Sequence, residues 1–218
     1  AGAGNVTLNS NTLTVGGSTN TTYSGVMSGT GSLVKAGTAT FTMSGANTYS
    51  GTTSVNAGRL VVANNSALGT TAGGTTVAAG AILDLQNVTV GAEQITLAGG
   101  TLTDTTSSLA GNIILTADSN LGATNVGDTL TLSGVISGNY AITKIGAGTV
   151  TLSGANTYSG ATNINAGTLS VTGSLNDLTA VTVASGATYD VAASDTIASL
   201  AGAGNVTLNS NTLTVGGS

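Results

Sequence analysis

Short runs in which apolar and polar residues alternate make up most of this chain. In TVTL, Val150 and Leu152 alternate with threonines, and in ILDL, Leu83 and Leu85 flank Asp84. A period of two predicts β-strands with one buried face, so we expect these Val and Leu side chains to point inward and Asp84 to face solvent. The runs end at Gly, Asn or Ser-Gly, where turns form readily. Because no stretch shows the i, i+3, i+4, i+7 spacing of an amphipathic helix, the pattern predicts an all-β protein.

The chain also repeats itself at two levels. Residues 1–18 return letter for letter as residues 201–218, an offset of 201 − 1 = 200. Inside this period, residues 24–62 align without a gap to residues 133–171, at an offset of 144 − 35 = 109. We therefore interpret residues 1–200 as one repeat unit made of two divergent half-units, and the final eighteen residues as the start of the next unit. A capping segment copied onto the end is the alternative explanation of the terminal identity.

Three all-β architectures accommodate short alternating strands: a sandwich, a propeller and a solenoid. Very short strands, frequent glycine turns and an open-ended repeat favour the solenoid. A sandwich core normally carries more aromatic bulk than the one Phe and five Tyr of this chain. At ~20–25 residues per coil, we expect residues 1–218 to form a single continuous parallel β-helix, or β-solenoid, of roughly nine or ten coils.

The composition narrows the possible partners. Hydrophobic residues make up 40% of the chain, which is enough for a packed interior, while charged residues make up only 5%. The net charge is −5, and the three basic residues lie far apart in sequence, so neither nucleic acid nor an anionic membrane surface is an expected partner. No apolar run approaches the ~20 residues of a membrane-spanning helix. We therefore expect no membrane insertion by this segment.

Two segments resemble a known repeat. KIGAGTVTLSGANTYSGATNINAGTLSV, residues 144–171, is similar to the passenger-associated β-strand repeat of autotransporter proteins. Residues 35–62 match the same pattern less closely, for example with Arg59 in place of Thr168. The resemblance implies a right-handed parallel β-helix outside a bacterium that has an outer membrane. It also implies that the repeat assists the export or folding of the passenger.

The motif SGANTYSG occurs in both of these segments and supplies the residues for which we predict a structural role. They are Asn47, Tyr49, Asn156 and Tyr158. In a parallel β-helix, equivalent residues of successive coils stack, and stacked Asn side chains gain amide hydrogen bonds. We therefore expect these four residues to act in turns and stacks rather than in chemistry.

No constellation in the sequence points to catalysis, a metal or a cofactor. Acid–base chemistry needs paired carboxylates or a tuned base beside one, and this chain has no His or Cys. Asp84 and Asp190 occupy equivalent repeat positions, as expected for a solvated strand face. No calcium-loop pattern is present, and the Thr-x-Thr triplets recur too unevenly to match an ice lattice. The acidic residues are scattered along the chain: Asp84, Glu93, Asp104, Asp118, Asp128, Asp177, Asp190 and Asp195.

The function that these observations favour is structural. We expect a non-enzymatic repeat segment of a long bacterial surface adhesin or extracellular fibre, acting as a rigid stalk. Its expected partners are adjacent identical repeats of the same chain, and then other cells, surfaces or glycans. The alternative is a glycan- or surface-binding β-helical module that uses exposed Tyr23, Tyr140 or Tyr189 together with polar strand faces.

Overall fold

The computed structural model of the protein describes residues 2–216, and β-strands are the regular secondary structure of this range. None of these residues is helical, so no helix in this range could cross a membrane. The prediction of an all-β chain is confirmed for the described residues.

The strands are two to five residues long. The first ten are Val6–Thr7 (β1), Thr12–Val15 (β2), Thr21–Tyr23 (β3), Met27–Ser28 (β4), Ser32–Lys35 (β5), Thr40–Met43 (β6), Thr53–Val55 (β7), Arg59–Val62 (β8), Thr75–Ala78 (β9) and Ile82–Gln86 (β10). The next nine are Thr89–Val90 (β11), Ile95–Ala98 (β12), Thr101–Thr105 (β13), Ser107–Leu109 (β14), Ile113–Ala117 (β15), Ser119–Gly122 (β16), Thr129–Leu132 (β17), Ile136–Ser137 (β18) and Ile142–Ile145 (β19). The last nine are Thr149–Leu152 (β20), Thr162–Ile164 (β21), Thr168–Val171 (β22), Ala180–Val183 (β23), Thr188–Val191 (β24), Asp195–Ile197 (β25), Ser199–Gly202 (β26), Asn205–Thr207 (β27) and Leu213–Val215 (β28).

These strands stack into three parallel sheets, which form the faces of a solenoid. The first face contains β3, β6, β8, β10, β13, β16, β19, β21, β23 and β26; the second contains β11, β14, β17, β20, β22, β24 and β27; the third contains β2, β5, β7, β9, β12, β15 and β18. Two further parallel pairs, β1 with β4 and β25 with β28, complete the described coils. The chain visits the third, first and second faces in turn, for example through β12, β13 and β14.

One turn around the three faces takes 17 to 23 residues. The shortest coil joins the register partners Thr188 and Asn205, since 205 − 188 = 17, and one of the longest joins Ser119 and Ile142, since 142 − 119 = 23. The ten strands of the first face mark ten successive coils. The prediction of a parallel β-solenoid with nine or ten coils is confirmed.

The core consists of ladders of identical or similar side chains. On the first face, Leu60, Leu83, Leu102 and Leu121 pair in register across four coils, and all four are fully buried. Neighbouring coils are ~4.8 Å apart, so each leucine packs directly on the next. The residues predicted to point inward, including Val150 and Leu152, are buried.

Some corners of the solenoid leave no room for a side chain. A Cβ atom on Gly45 would run into the carbonyl oxygen of Gly25 in the coil before it, and a Cβ on Gly154 would run into that of Gly134. Glycine at these positions therefore lets the backbones of successive coils approach closely.

The two levels of sequence repeat map differently onto the coils. Gly2 bridges to Tyr23 on the first face, and Gly202 ends the tenth strand of that face, so the 200-residue offset spans ten whole coils. The 109-residue offset does not span whole coils, because Lys35 lies on the third face and Lys144 on the first. The two copies of the inner repeat therefore face different directions, whereas the two copies of the terminal sequence face the same one.

Candidate functional site

The predicted motif residue Asn47 joins three successive coils. The chain between β6 and β7 forms no strand within the described range, so the sheet ladder is interrupted there. Asn47 Oδ1 accepts a hydrogen bond from the backbone N–H of Met27 (2.8 Å), and Asn47 Nδ2 donates to the carbonyl oxygen of Ala67 (2.6 Å). One buried side chain thus supplies a contact to the coil before it and another to the coil after it.

Asn156 makes the same bridge in the second copy. Its Oδ1 accepts from the backbone N–H of Ile136 (3.0 Å), and its Nδ2 donates to the carbonyl oxygens of Gly154 (3.0 Å) and Ser174 (2.9 Å). The asparagines do not stack on one another, since each bonds to backbone atoms of the neighbouring coils.

The two motif tyrosines are fully buried. The Tyr49 hydroxyl lies 2.6 Å from the Thr53 hydroxyl, and the Tyr158 hydroxyl lies 2.6 Å from that of Thr162. Burial raises the pKa of both phenols above their usual range. They therefore remain neutral, each with a threonine hydroxyl as its hydrogen-bond partner.

Two buried lysines are functional residues of the fold that the sequence reasoning missed. Lys144 is fully buried, and its Nζ donates to the carbonyl oxygens of Ile145 (3.0 Å), Gly146 (2.9 Å) and Ala166 (3.0 Å). Lys35 is also buried, and its Nζ donates to Ala57 (3.0 Å) and Gly37. Each ammonium group holds the turn after its own strand and the equivalent turn of a neighbouring coil.

The alternating pattern of the sequence does indicate that these lysines are buried. In SLVK and ITKI the lysine occupies the same phase as the buried residue two positions before it, and Lys144 is the register partner of Leu121. Burial lowers the pKa of Lys144 to about 8, against an opposing effect of Asp104, and it also lowers the pKa of Lys35.

Asp104 is the most enclosed acid. It is fully buried, its Oδ2 accepts from the backbone N–H of Ser107 (2.6 Å), and its Oδ1 has no hydrogen-bond partner among the described residues. Burial raises the pKa of Asp104 to about 7; the Ser107 hydrogen bond and Lys144 oppose the rise, while Asp128 and Asp84 add to it. Asp104 therefore shares an electrostatic environment with groups that are distant in sequence.

Two other acids are buried beside polar partners. Glu93 accepts a hydrogen bond from the Thr75 hydroxyl (2.8 Å), and Asp195 accepts from the backbone N–H groups of Leu175 (2.9 Å) and Thr196 (3.0 Å). Burial raises the pKa of both carboxyls. In residues 2–216, no group of three or more acidic residues is arranged to hold a metal ion.

Asp84 does not face solvent, so the prediction of a solvated strand face is wrong at this position. It lies on the outward side of β10, but only 2% of its surface is exposed. Arg59 covers it and forms an ion pair, with 2.7 Å between Arg59 Nη1 and Asp84 Oδ2, and Gln86 Nε2 donates to the same oxygen (3.0 Å). A charged residue can thus occupy the polar phase of a strand and still be enclosed by its neighbours.

Asp190, the repeat counterpart of Asp84, remains partly exposed. It accepts hydrogen bonds from the hydroxyls of Ser170 (2.6 Å) and Thr207 (2.9 Å) and from the Asn209 amide. Partial burial favours a higher pKa, but these hydrogen bonds outweigh it and lower the pKa of Asp190. The two half-units therefore use the same aspartate in different ways.

The three tyrosines proposed for glycan contact do not form a shared surface. Tyr189 is fully buried, so its expected exposure is wrong; it lies in the inward phase of β24. The Tyr23 hydroxyl donates to the carbonyl oxygen of Gly4, which leaves its ring half-buried. Tyr140 is 41% exposed and stands alone in the turn before β19.

Comparisons with known proteins agree with the solenoid geometry. The Passenger-associated-transport-repeat family matches residues 33–62 and 142–171. Each of these segments consists of two strands, a corner and two further strands. Each carries one of the buried lysines and one of the bridging asparagines. No solved structure matches this chain.

One relative also supports the similarity to autotransporter passengers. The Adhesin BmaC autotransporter of Brucella suis biovar 1 (strain 1330) is 35% identical over 189 residues, which cover 84% of this chain and 5% of that protein. The chain thus spans about 5% of the length of this relative. Together with the repeat matches, this similarity confirms the resemblance to autotransporter passengers.

Proposed function

We propose that this β-solenoid, which carries the repeats of autotransporter passengers, is a rigid stalk segment of a long adhesin. Passenger sequence of this type lies outside the cell, on the bacterial surface. The segment's work in this proposal is mechanical and non-enzymatic: it projects a binding part away from the cell. The observation that carries the proposal is how the two copies of the repeated terminal sequence fold and pack against neighbouring coils.

Both copies fold into the same kind of coil although their neighbours differ. Asn9 and Asn209 have positive φ angles of 52° and 47°, and each begins a matching turn. Asn11 N–H donates to Leu8 O at 2.9 Å in the first copy, and Asn211 N–H donates to Leu208 O at 2.7 Å in the second. The same residues therefore pack against the following coil in the first copy and against the preceding coil in the second copy.

The exposure of the equivalent leucines supports continuous stacking. Leu8 is 5% exposed because the next coil covers it, with Leu8 N–H donating to Ser28 O at 2.7 Å. Its counterpart Leu208 is 44% exposed. We propose that residues 1–200 are one unit, that residues 201–218 start the next, and that the coil after Leu208 has the sequence that follows Leu8. The partner of each unit is then an adjacent identical unit of the same chain.

The length per unit makes the proposal measurable. Ten coils at ~4.8 Å each give about 48 Å per unit. We expect small-angle X-ray scattering of a protein with two tandem units to show a straight rod that is about 48 Å longer than one unit. A matched control carries a glycine-serine linker inserted between residues 200 and 201, which should produce a bent, variable particle. Two beads at variable angles in the protein without the linker would contradict the stalk.

A further inference from the structure

A groove on the first face is not needed for stacking. The outward positions of successive coils there are Val61, Asp84, Thr103, Gly122 and Ile145. Gly122 has no side chain, so the outward row of side chains is interrupted between the strands of Thr103 and Ile145, which lie two strand spacings, about 10 Å, apart. A Cβ on Gly122 would lie 3.0 Å from Thr103 Oγ1 and 3.3 Å from Ile145 Cγ1, so these two side chains lean over the glycine and form the floor of the groove with it.

The groove has a volume of about 220 Å³ and mixes polar with apolar walls. Ile82 and Ile145 supply apolar surface, while Thr101, Thr103 and Thr124 supply hydroxyls. The Thr103 and Thr124 hydroxyls lie 3.2 Å apart. Apolar walls with a few convergent polar groups are typical of a small-molecule site, and this volume suits one ring-sized group rather than a drug-sized ligand.

Arg59 stands at the edge of this groove. Of the three basic residues of the chain, the two lysines are buried, whereas the Arg59 side chain is 40% exposed. Its ion pair with Asp84 uses one of the five N–H donors of the guanidinium. The other donors find no acceptor among the described residues and remain available to a ligand.

We propose that this groove binds a neutral hexose unit of a glycan, oriented by the Arg59–Asp84 pair. The guanidinium donates to ring or hydroxyl oxygens of the sugar, and the threonine hydroxyls exchange hydrogen bonds with its neighbouring hydroxyls. The isoleucines contact the C–H face of the pyranose. The proposal is independent of the stalk, because none of these groups takes part in stacking one unit on the next.

The charges around the groove favour a neutral ligand over an acidic one. Asp84 neutralises Arg59 at 2.7 Å, and the negative charges of Asp128 and Asp84 act on Asp104 beneath this face, where they raise its pKa. The chain as a whole carries a net charge of −5. A carboxylate-bearing sugar would meet this negative field, whereas a neutral sugar would not.

The internal repeat shows that the arginine is not required by the scaffold. Its counterpart in the second copy is Thr168, and there Asp190 takes hydroxyl and amide donors instead. The second copy therefore builds the same strands without an arginine. If units repeat in tandem, as proposed above, the groove recurs on the same face about every 48 Å, an arrangement suited to multivalent attachment.

The test is an NMR titration of the ¹⁵N-labelled chain with methyl β-D-glucopyranoside, methyl β-D-galactopyranoside and methyl α-D-mannopyranoside, with D-glucuronate as the acidic comparison. We expect at least one neutral hexose to shift the amide signals of Thr101, Gly122 and Ile145 with millimolar affinity, and glucuronate to bind more weakly. Arg59→Thr, which copies the residue of the second repeat, should weaken binding at least tenfold.

Two further variants distinguish a loss of binding at the groove from a loss of folding. Gly122→Val pushes the side chains of Thr103 and Ile145 up into the groove while keeping the ion pair, and it should abolish the shifts even if Arg59→Thr is poorly folded. Asp190→Asn, on the second face, should bind as the unchanged protein does. The proposal is overturned if no hexose shifts the groove signals, if glucuronate binds as tightly as the neutral sugars, or if Gly122→Val binds normally.

Discussion

The buried lysines illustrate how single residues hold this solenoid together. Enclosing an ammonium group is costly unless hydrogen bonds replace its water, and Lys144 has three carbonyl acceptors around it. The carbonyls of Gly146 and Ala166 belong to turns, and that of Ile145 lies at the end of β19, beyond the last residue that pairs with β21. The lysine is therefore a structural cation that fastens turns of neighbouring coils.

We expect Lys144→Met to destabilise the protein although it keeps the apolar stem. It leaves the carbonyls of Ile145, Gly146 and Ala166 without their shared donor, and a buried unsatisfied group costs about 1–3 kcal/mol. The measurement is the free energy of unfolding in urea, with Lys35→Met as the matched variant of the first copy. An unchanged unfolding midpoint for Lys144→Met would contradict the role of the ammonium group.

The stability of the solenoid should depend on pH through Asp104 and Lys144. Asp104 keeps its proton up to about pH 7 in the folded state, whereas its ordinary pKa is 3.8, so the folded state binds more protons between these values. Stability should therefore fall as the pH rises from about 4 to 7. The lowered pKa of Lys144, about 8, works in the opposite direction above that pH, because the unfolded chain then holds more protons.

We expect the melting temperature to be higher at pH 5 than at pH 7.5, and Asp104→Asn to reduce this difference. The buried Glu93 and Asp195 act in the same direction as Asp104, since their pKa values are also raised. The pKa of Asp190 is lowered, so this group is ionised in both the folded and the unfolded chain at these pH values and does not contribute. Differential scanning calorimetry at both pH values provides the test. Equal slopes for the unchanged protein and the variant would show that Asp104 does not titrate in this range.

At the scale of strands, the period-two pattern predicted the inside and outside of the coils well. It placed Leu83 and Val150 in the core, and applied consistently it also places Lys35 and Tyr189 there. The prediction of buried residues failed where the residue type was given more weight than the position of the residue in the alternation. Asp84 failed for another reason: its enclosure depends on Arg59, a residue 84 − 59 = 25 positions away whose coil is adjacent only in the folded chain.

The different orientation of the two inner repeats around the solenoid also could not be predicted from the sequence. An offset of 109 residues is visible in an alignment, but coil lengths vary from 17 to 23 residues and depend on the turns. Strand β5 of the first copy therefore lies on the third face, and β19 of the second on the first face. The groove beside Arg59 arises from the same cause, because it needs residues of several coils in register.

The bridging asparagines are the element-scale counterpart of the sheet ladders. We expect Asn156→Ala to lower the free energy of unfolding by about 1–3 kcal/mol, since it leaves the Ile136 N–H and the Gly154 and Ser174 carbonyls without the partner that joins their coils. The exposed Asn139→Ala should change it by no more than about 0.5 kcal/mol. Chemical denaturation compares the two, and similar values would refute a structural role for the motif asparagine.

At the scale of the whole molecule, the described solenoid presents an apolar edge on its last coil. Leu208 and Val215 are 44% and 49% exposed there, although their counterparts in the first coil, Leu8 and Val15, are buried and half-buried. A rod built from stacked units removes this exposure by adding a coil. The cost of a substitution at this edge should therefore depend on how many units the chain contains.

We expect Leu208→Ala to have little effect in a single unit, because the side chain already contacts water. In a protein that continues through the second unit, which starts at residue 201, the same substitution should cost about 2–5 kcal/mol, since Leu208 would then be buried as Leu8 is. Leu152→Ala, which removes a side chain buried in either protein, is the control and should be costly in both. If Leu208→Ala is equally mild in one unit and in two, the coil after Leu208 does not pack on it, and the units are joined side by side or flexibly rather than as a continuous rod.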